Sequence, residues 1–127
     1  MIKIVDKSFE IHCTPLERVE VEAGTIIVYL DNINEERFKL VFNVCQGLKV
    51  TASDCVSYSS FKNDFCFSDG IYHRYILEVE DSGWVRQLKK DLTDRDATFL
   101  ERSRHFILPL QDVVIEILAY EIEIVKI

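Results

Sequence analysis

The sequence is poor in glycine and proline, with four and two in 127 residues. That scarcity excludes a linker-like, collagenous or low-complexity chain, whose backbone stays solvated because it has too little to bury. Positive charge is also in deficit: fifteen Lys and Arg against twenty-two Asp and Glu leave a formal charge of −7 and a pI of about 4.9. A phosphate backbone repels such a surface, so nucleic acid is not an expected partner. No apolar run approaches the roughly 18 residues of a membrane-spanning helix. The longest, VVIEILAY, carries a charge and has the length of a strand, so no membrane partner is expected.

Catalytic and cofactor motifs are missing too. The chain has no GxSxG, P-loop, GxGxxG, HExxH or paired Cys–His signature, so neither an enzyme class nor a cofactor is implied. The four cysteines, Cys13, Cys45, Cys55 and Cys66, stand 32, 10 and 11 residues apart, with no CxxC and no metal-ligand spacing. The opening MIKIVDKSFEIHC lacks a basic region followed by an apolar one. The expectation is therefore a cytoplasmic protein with reduced thiols packed as small hydrophobes.

What the chain does have is apolar surface. Hydrophobic residues make up 48% of it, including eight Phe, five Tyr and one Trp. That is enough for one core in one domain spanning residues 1–127, without metals or staples. The pattern is mostly period two. Phe38, Leu40, Phe42 and Val44 alternate with Arg37, Lys39, Val41 and Asn43, and predict a half-buried strand over Arg37–Cys45. Ile71–Val79 alternates similarly and predicts one strand. Val19 and Val21 alternate with Arg18, Glu20 and Glu22, and Ala23-Gly24 supplies a tight turn into Thr25–Leu30. Ile2–Val5 and Phe9–Cys13 read as a strand pair or one bent strand; Leu48–Ala52 and Phe61–Phe67 are weaker candidates, and Ser57–Asp69 reads as irregular. A single stretch changes period. After Asp81-Ser82-Gly83, the residues Trp84, Val85, Leu88 and Leu92 fall on one helical face, with Ser82 or Asp81 as cap and Lys89 and Lys90 near the end. Trp84 reads as a core anchor. Thr93–Ser103 is polar and has room for a short helical turn. The expected class is α+β, mostly β: an antiparallel sandwich or curled, barrel-like sheet of about eight strands with one short helix.

The candidate site lies in the last hairpin, Arg104–Pro109 and Asp112–Val125. With Leu110-Gln111 as a two-residue loop, His105 opposes Glu116, their Cβ atoms about 4.5–5.5 Å apart. Glu116 sits among Val113, Val114, Ile115, Ile117, Leu118 and Ala119. A carboxylate there needs a positive partner, which His105 or Arg104 supplies. The pair reads in two ways: a satisfied contact that fixes register, or a ligand-facing acid–base couple in a pocket. His12 and His73 each lie in an apolar-alternating strand and read as hydrogen-bonded core residues, with no metal site among the three histidines.

The stretch HRYILEVEDSGWVRQL and the following RHFILPLQDVVIEILA resemble small uncharacterised bacterial proteins, some of them similar to immunity proteins carried beside polymorphic toxins. The likeness covers Tyr72 to Tyr120 and rests on Arg104, His105, Asp112, Glu116 and Ala119. It implies a bacterial cytoplasmic protein and gives these residues no role of its own; Arg104, His105, Asp112 and Glu116 are the candidate binding residues of the hairpin. Three functions compete. The first is a non-enzymatic binding protein, an immunity-type inhibitor of a basic protein partner, steered by its acidity. The second is a small enzyme or ligand-binding barrel using His105, Glu116 and His73. The third is a homo-oligomer joined through a strand edge. A flat acidic face favours the first, a deep pocket at His105 the second, and a large self-complementary apolar face the third.

Overall fold

A computed structural model describes residues 1–13, 17–57, 66–68 and 70–127. Its frame is a seven-stranded antiparallel sheet built from β1 (Ile2–Ile4), β3 (Arg18–Glu22), β4 (Thr25–Asp31), β5 (Arg37–Ala52), β9 (Leu77–Val79), β10 (Arg104–Pro109) and β11 (Val113–Lys126). The strand order is β1-β9-β10-β11-β5-β4-β3, so the sheet is not closed and ends in β1 and β3. Two small two-stranded patches accompany it: β2 (Glu10–Ile11) with β8 (Arg74–Tyr75), and β6 (Phe67–Ser68) with β7 (Ile71–Tyr72). One helix, α1 (Gly83–Asp91), and a 3-10 turn at Thr98–Arg102 lie between β9 and β10. Among the described residues the result is a mostly-β fold with a curled sheet and one short helix, as the periodicity predicts. Phe61 to Phe67 falls largely outside the described residues.

The long strands β5 and β11 make the frame curl. In β5 the core-facing alternation Phe38, Leu40, Phe42 is interrupted at Val44, whose φ is 56°, and the pairing with β11 shifts register between Leu118 and Ala119. Bulges of this kind bend a strand and increase its twist. The interruption is held from both sides: Cys45 N–H donates to the Gly24 carbonyl at 2.9 Å, and the Gln46 side-chain amide donates to the Val44 carbonyl at 2.7 Å. Ala23 and Gly24, both at positive φ, form the two-residue turn between β3 and β4 that the sequence announces.

The bend lets one sheet face fold upon itself. Ile26, Val28, Leu30, Leu40 and Phe42 from β4 and β5 pack with Phe106, Leu108, Ile115 and Ile117 from β10 and β11, and Phe9, Ile11 and Ile76 join them. The opposite face is covered in two places. Leu77, Ile107 and Val114 pack with Cys66, while Leu118 packs under Val85 and Leu100, beside Trp84, Leu88 and Leu92 of the helical layer. Cys13, Cys45 and Cys55 are free thiols.

Two expectations are corrected. Ile71–Val79 is not one strand: its residues fall into β7, β8 and β9 and pair with four different strands, β7 with β6, β8 with β2, and β9 with β1 and β10. Alternation alone does not record that Ile76 turns into the larger core while its neighbour Leu77 enters the smaller one. The hairpin register is also different. Leu110 N–H donates to the Val113 carbonyl, so Gln111-Asp112 forms the loop and His105 opposes Leu118, with Ile107 opposite Glu116.

Candidate functional site

The register differs from the expected one by two positions, and two is the period of a strand. His105 and Glu116 therefore still share a face, as diagonal neighbours, and His105 Nε2 lies 2.9 Å from Glu116 Oε1. The other ring nitrogen is 2.8 Å from Ser82 Oγ. The protonation pattern that satisfies every atom has Nε2–H donating to the carboxylate and Ser82 O–H donating to Nδ1. Ser82 is also the N-cap of α1, and its oxygen accepts from Val85 N–H at 3.2 Å. A continuous relay thus runs from the first turn of α1 through His105 to Glu116 in β11.

The relay is enclosed. Ser82 and His105 are each 7% exposed. Trp84 meets the His105 ring edge-on, with centroids 5.3 Å apart, and Lys49 Nζ sits over the indole ring, 4.0 Å from its centre. Trp84 reaches this place because β5 has a glycine beneath it: a Cβ on Gly47 would stand 2.8 Å from Trp84 Cζ2. Lys49 also opposes Glu116 across the β5–β11 ladder. The His105 hydrogen bond holds the Glu116 carboxyl below its ordinary value against the opposing effect of burial, with the charge of Lys49 adding to it.

Arg104 and Asp112 belong elsewhere. Arg104 precedes His105 and, by strand alternation, points to the other side. It grips Glu78 through Nε at 2.9 Å and Nη2 at 2.7 Å, lies over the Phe106 ring and lowers the Glu78 carboxyl below its usual range. Asp112 is exposed in the hairpin loop, and its carbonyl accepts from Ser53 N–H. His73 is bound to Glu10 at 3.1 Å, in the β2–β8 patch, and Nε2 of His12 is 3.9 Å from Glu35. The structure thus brings together His105 and Glu116 and leaves Arg104, Asp112 and His73 apart from them. Among the described residues no group of His, Cys, Asp and Glu could hold a metal ion, and no helix is long and apolar enough to cross a membrane.

Ser82 is the relay member that sequence reasoning identified only as a cap. A cleft of about 280 Å³ opens beside it, lined by Glu78, Asp81, Arg86, Lys89 and Arg104 among others, with charges of both signs. The arrangement can move a proton between Ser82 and Glu116. It also fastens α1 to the sheet: the neutral Ser82–His105 bond contributes about 0.5–1.5 kcal/mol, and the His105–Glu116 bond, made to a carboxylate, about 1.5–3 kcal/mol.

A second feature lies at the other end of the sheet. The faces of β3, β4, β5 and β11 opposite the core form two cross-strand rows. One runs Glu20, Ile27, Val41, Glu123; the next holds Glu22 with Thr25 and Asn43 with Glu121. With strands 4.7–4.9 Å apart, each row spans roughly 14 Å. Among the described residues no hydrophobic cluster includes Ile27 or Val41, which are half-buried. Arg18 neutralises Glu20 at 2.6 Å. Glu22, Glu121 and Glu123 are exposed and make no ion pair among the described residues. Lys39, one row further on, faces Tyr29 and Val125. The signal for this face is present in the strings VEVE and YEIEI, whose alternation puts the carboxylates on one side.

No family model, curated protein or solved structure matches this chain.

Proposed function

We propose that the protein is a non-enzymatic binding protein whose partner is a basic protein surface, docked on the uncovered face of β3, β4, β5 and β11. The observation that carries this reading is the pair of rows in which Glu20, Glu22, Glu121 and Glu123 flank Ile27 and Val41. An apolar strip with an acidic border has the anatomy of a docking surface: the strip supplies desolvated contact, and the border steers a cationic partner and fixes its orientation. The net charge of −7 acts in the same sense at longer range. An immunity-type inhibitor of a basic toxin is the form of this activity to which the likeness of the Tyr72–Tyr120 segment points. In that form the acidity speeds capture of the toxin.

The test is a comparison of two baits in a lysate of the source cell. One is the wild-type chain and the other combines Glu20→Lys, Glu22→Lys, Glu121→Lys and Glu123→Lys. A basic protein retained by the first, lost from the second and released by salt is the expected result. Retention that ignores both the substitutions and the salt overturns the reading.

The Ser82–His105–Glu116 relay favours a second reading, a hydrolytic or proton-transfer site opening on the cleft beside Ser82. Its burial and its use as a helix cap weigh toward a fastening role. A fluorophosphonate probe decides between them: labelling at Ser82 that is lost in His105→Gln supports the enzyme, and an unlabelled chain removes it.

A further inference from the structure

We infer that β3 takes up an extended segment of the partner as an eighth strand, and that this segment alternates basic and apolar side chains. The inference rests on the basic-partner reading above and specifies how that partner is held. β3 ends the sheet: its five residues pair with β4 on one side, and no described strand lies on the other. Half of its backbone N–H and C=O groups therefore point away from β4, ready to pair with a further chain.

The side chains of this edge specify what would pair with it. Arg18, Glu20 and Glu22 lie on the uncovered face, where Arg18 pairs with Glu20 and Glu22 makes no ion pair among the described residues, and Val19 and Val21 lie on the other. Val21 is 65% exposed, although it alternates with carboxylates in a strand whose β4 neighbours, Ile26 and Val28, are buried. Residues directly opposite on an added strand stand about 4.5–5.5 Å away, so a lysine or arginine facing each glutamate and an apolar residue facing each valine complete both faces. The carboxylate rows of the neighbouring strands extend the complementarity past the first pair. The opposite edge of the sheet has other chemistry: β1 has three residues, and its Lys3 points toward Glu78 and Glu80. A basic strand is accommodated at β3 and not at β1.

The test uses three synthetic peptides and the full ¹⁵N-labelled chain. The first peptide is an acetylated, amidated heptamer alternating Lys and Val. The second is the same heptamer N-methylated at its valines, which removes strand donors and keeps the charge. The third replaces its valines by glycine. The expected result is that the first peptide shifts the amides of Val19, Glu20 and Val21 and slows the exchange of those that point away from β4. The other two should bind at least about ten-fold more weakly. Glu20→Lys with Glu22→Lys should weaken the first by a similar factor, with the rest of the spectrum unchanged. Equal binding of all three peptides, with shifts centred on Glu121 and Glu123, overturns strand addition and leaves the basic-partner reading standing. No binding of any peptide counts against both. A dimer forming through β3 in sedimentation, displaced by no peptide, assigns the edge to a second copy and overturns the inference.

Discussion

At the scale of single residues, the energetic weight falls on His105. Its two ring nitrogens are engaged at 2.8 and 2.9 Å, and water has almost no access to it. His105→Ala strands the Glu116 carboxylate in a partly buried position and leaves Ser82 with its helix amide alone. We expect a loss of about 1–3 kcal/mol in urea denaturation, with a non-zero coupling energy in the cycle that combines it with Glu116→Gln. Independent, additive losses would show that the contact contributes nothing of its own. The pH dependence has a fixed sign. Glu116 and Glu78 both have carboxyl values below the ordinary 4.5 when folded, so their contribution is complete above 4.5 and is lost as pH falls through the folded values. The urea midpoint should hold above pH 5 and decline from about 4.5 downward, less steeply in Glu116→Gln. Val44 is the reverse case: a β-branched residue at φ 56°, 52% exposed, in the region that Asn enters more readily. Val44→Asn should raise stability by about 0.5–1 kcal/mol. A loss would mean that the valine side chain carries packing of its own.

At the scale of elements, α1 depends on three anchors: the Ser82 cap and its bond to His105, the Val85 contact with Leu118, and Trp84 seated over Gly47. Gly47→Ala puts a methyl 2.8 Å from a rigid indole. The ring must move, and we expect a red shift in the emission of the single tryptophan, with about 1–3 kcal/mol lost. Unchanged emission would show that Trp84 is not held there. The helix itself was legible: Ser82 before a 3.6-period apolar set marks its start, and Lys89 and Lys90 its last turn. So were the Ala23-Gly24 turn and the His105–Glu116 contact, the latter because a two-residue error in register preserves the face. What the sequence could not announce is what depends on crossing elements. Ser82 meets His105 across 23 positions. The division of Ile71–Val79 into three short strands with different partners reflects tertiary pairing, which outweighs local alternation. The candidate binding residues Arg104 and Asp112 have binding-type side chains, but one is taken up by Glu78 and the other stands in the hairpin loop.

At the scale of the whole molecule, stability is distributed unevenly. β4, β5, β10 and β11 hold the larger core between them, whereas β1, β2 and β8 are two- or three-residue strands at the margin. Native-state hydrogen exchange should find the amides of Val28, Leu40, Phe106 and Ile117 opening only with global unfolding, and those of β1 and β2 opening at much lower cost. Uniform protection across both groups would contradict this division of the core.

The interruption at Val44 has a bearing on how such a chain can vary. Before it, β5 shows Lys39, Val41 and Asn43 to the uncovered face; after it, Gly47 and Lys49 serve Trp84 and Glu116. The same strand therefore carries two independent records, one constrained by whatever docks on the outside and one by the helix it must seat. Substitutions in the first half can accumulate under pressure from a changing partner while the second half keeps its glycine and its lysine in place. A lineage of such proteins would diversify its outward rows quickly around an almost unvarying Ser82, Trp84, His105 and Glu116.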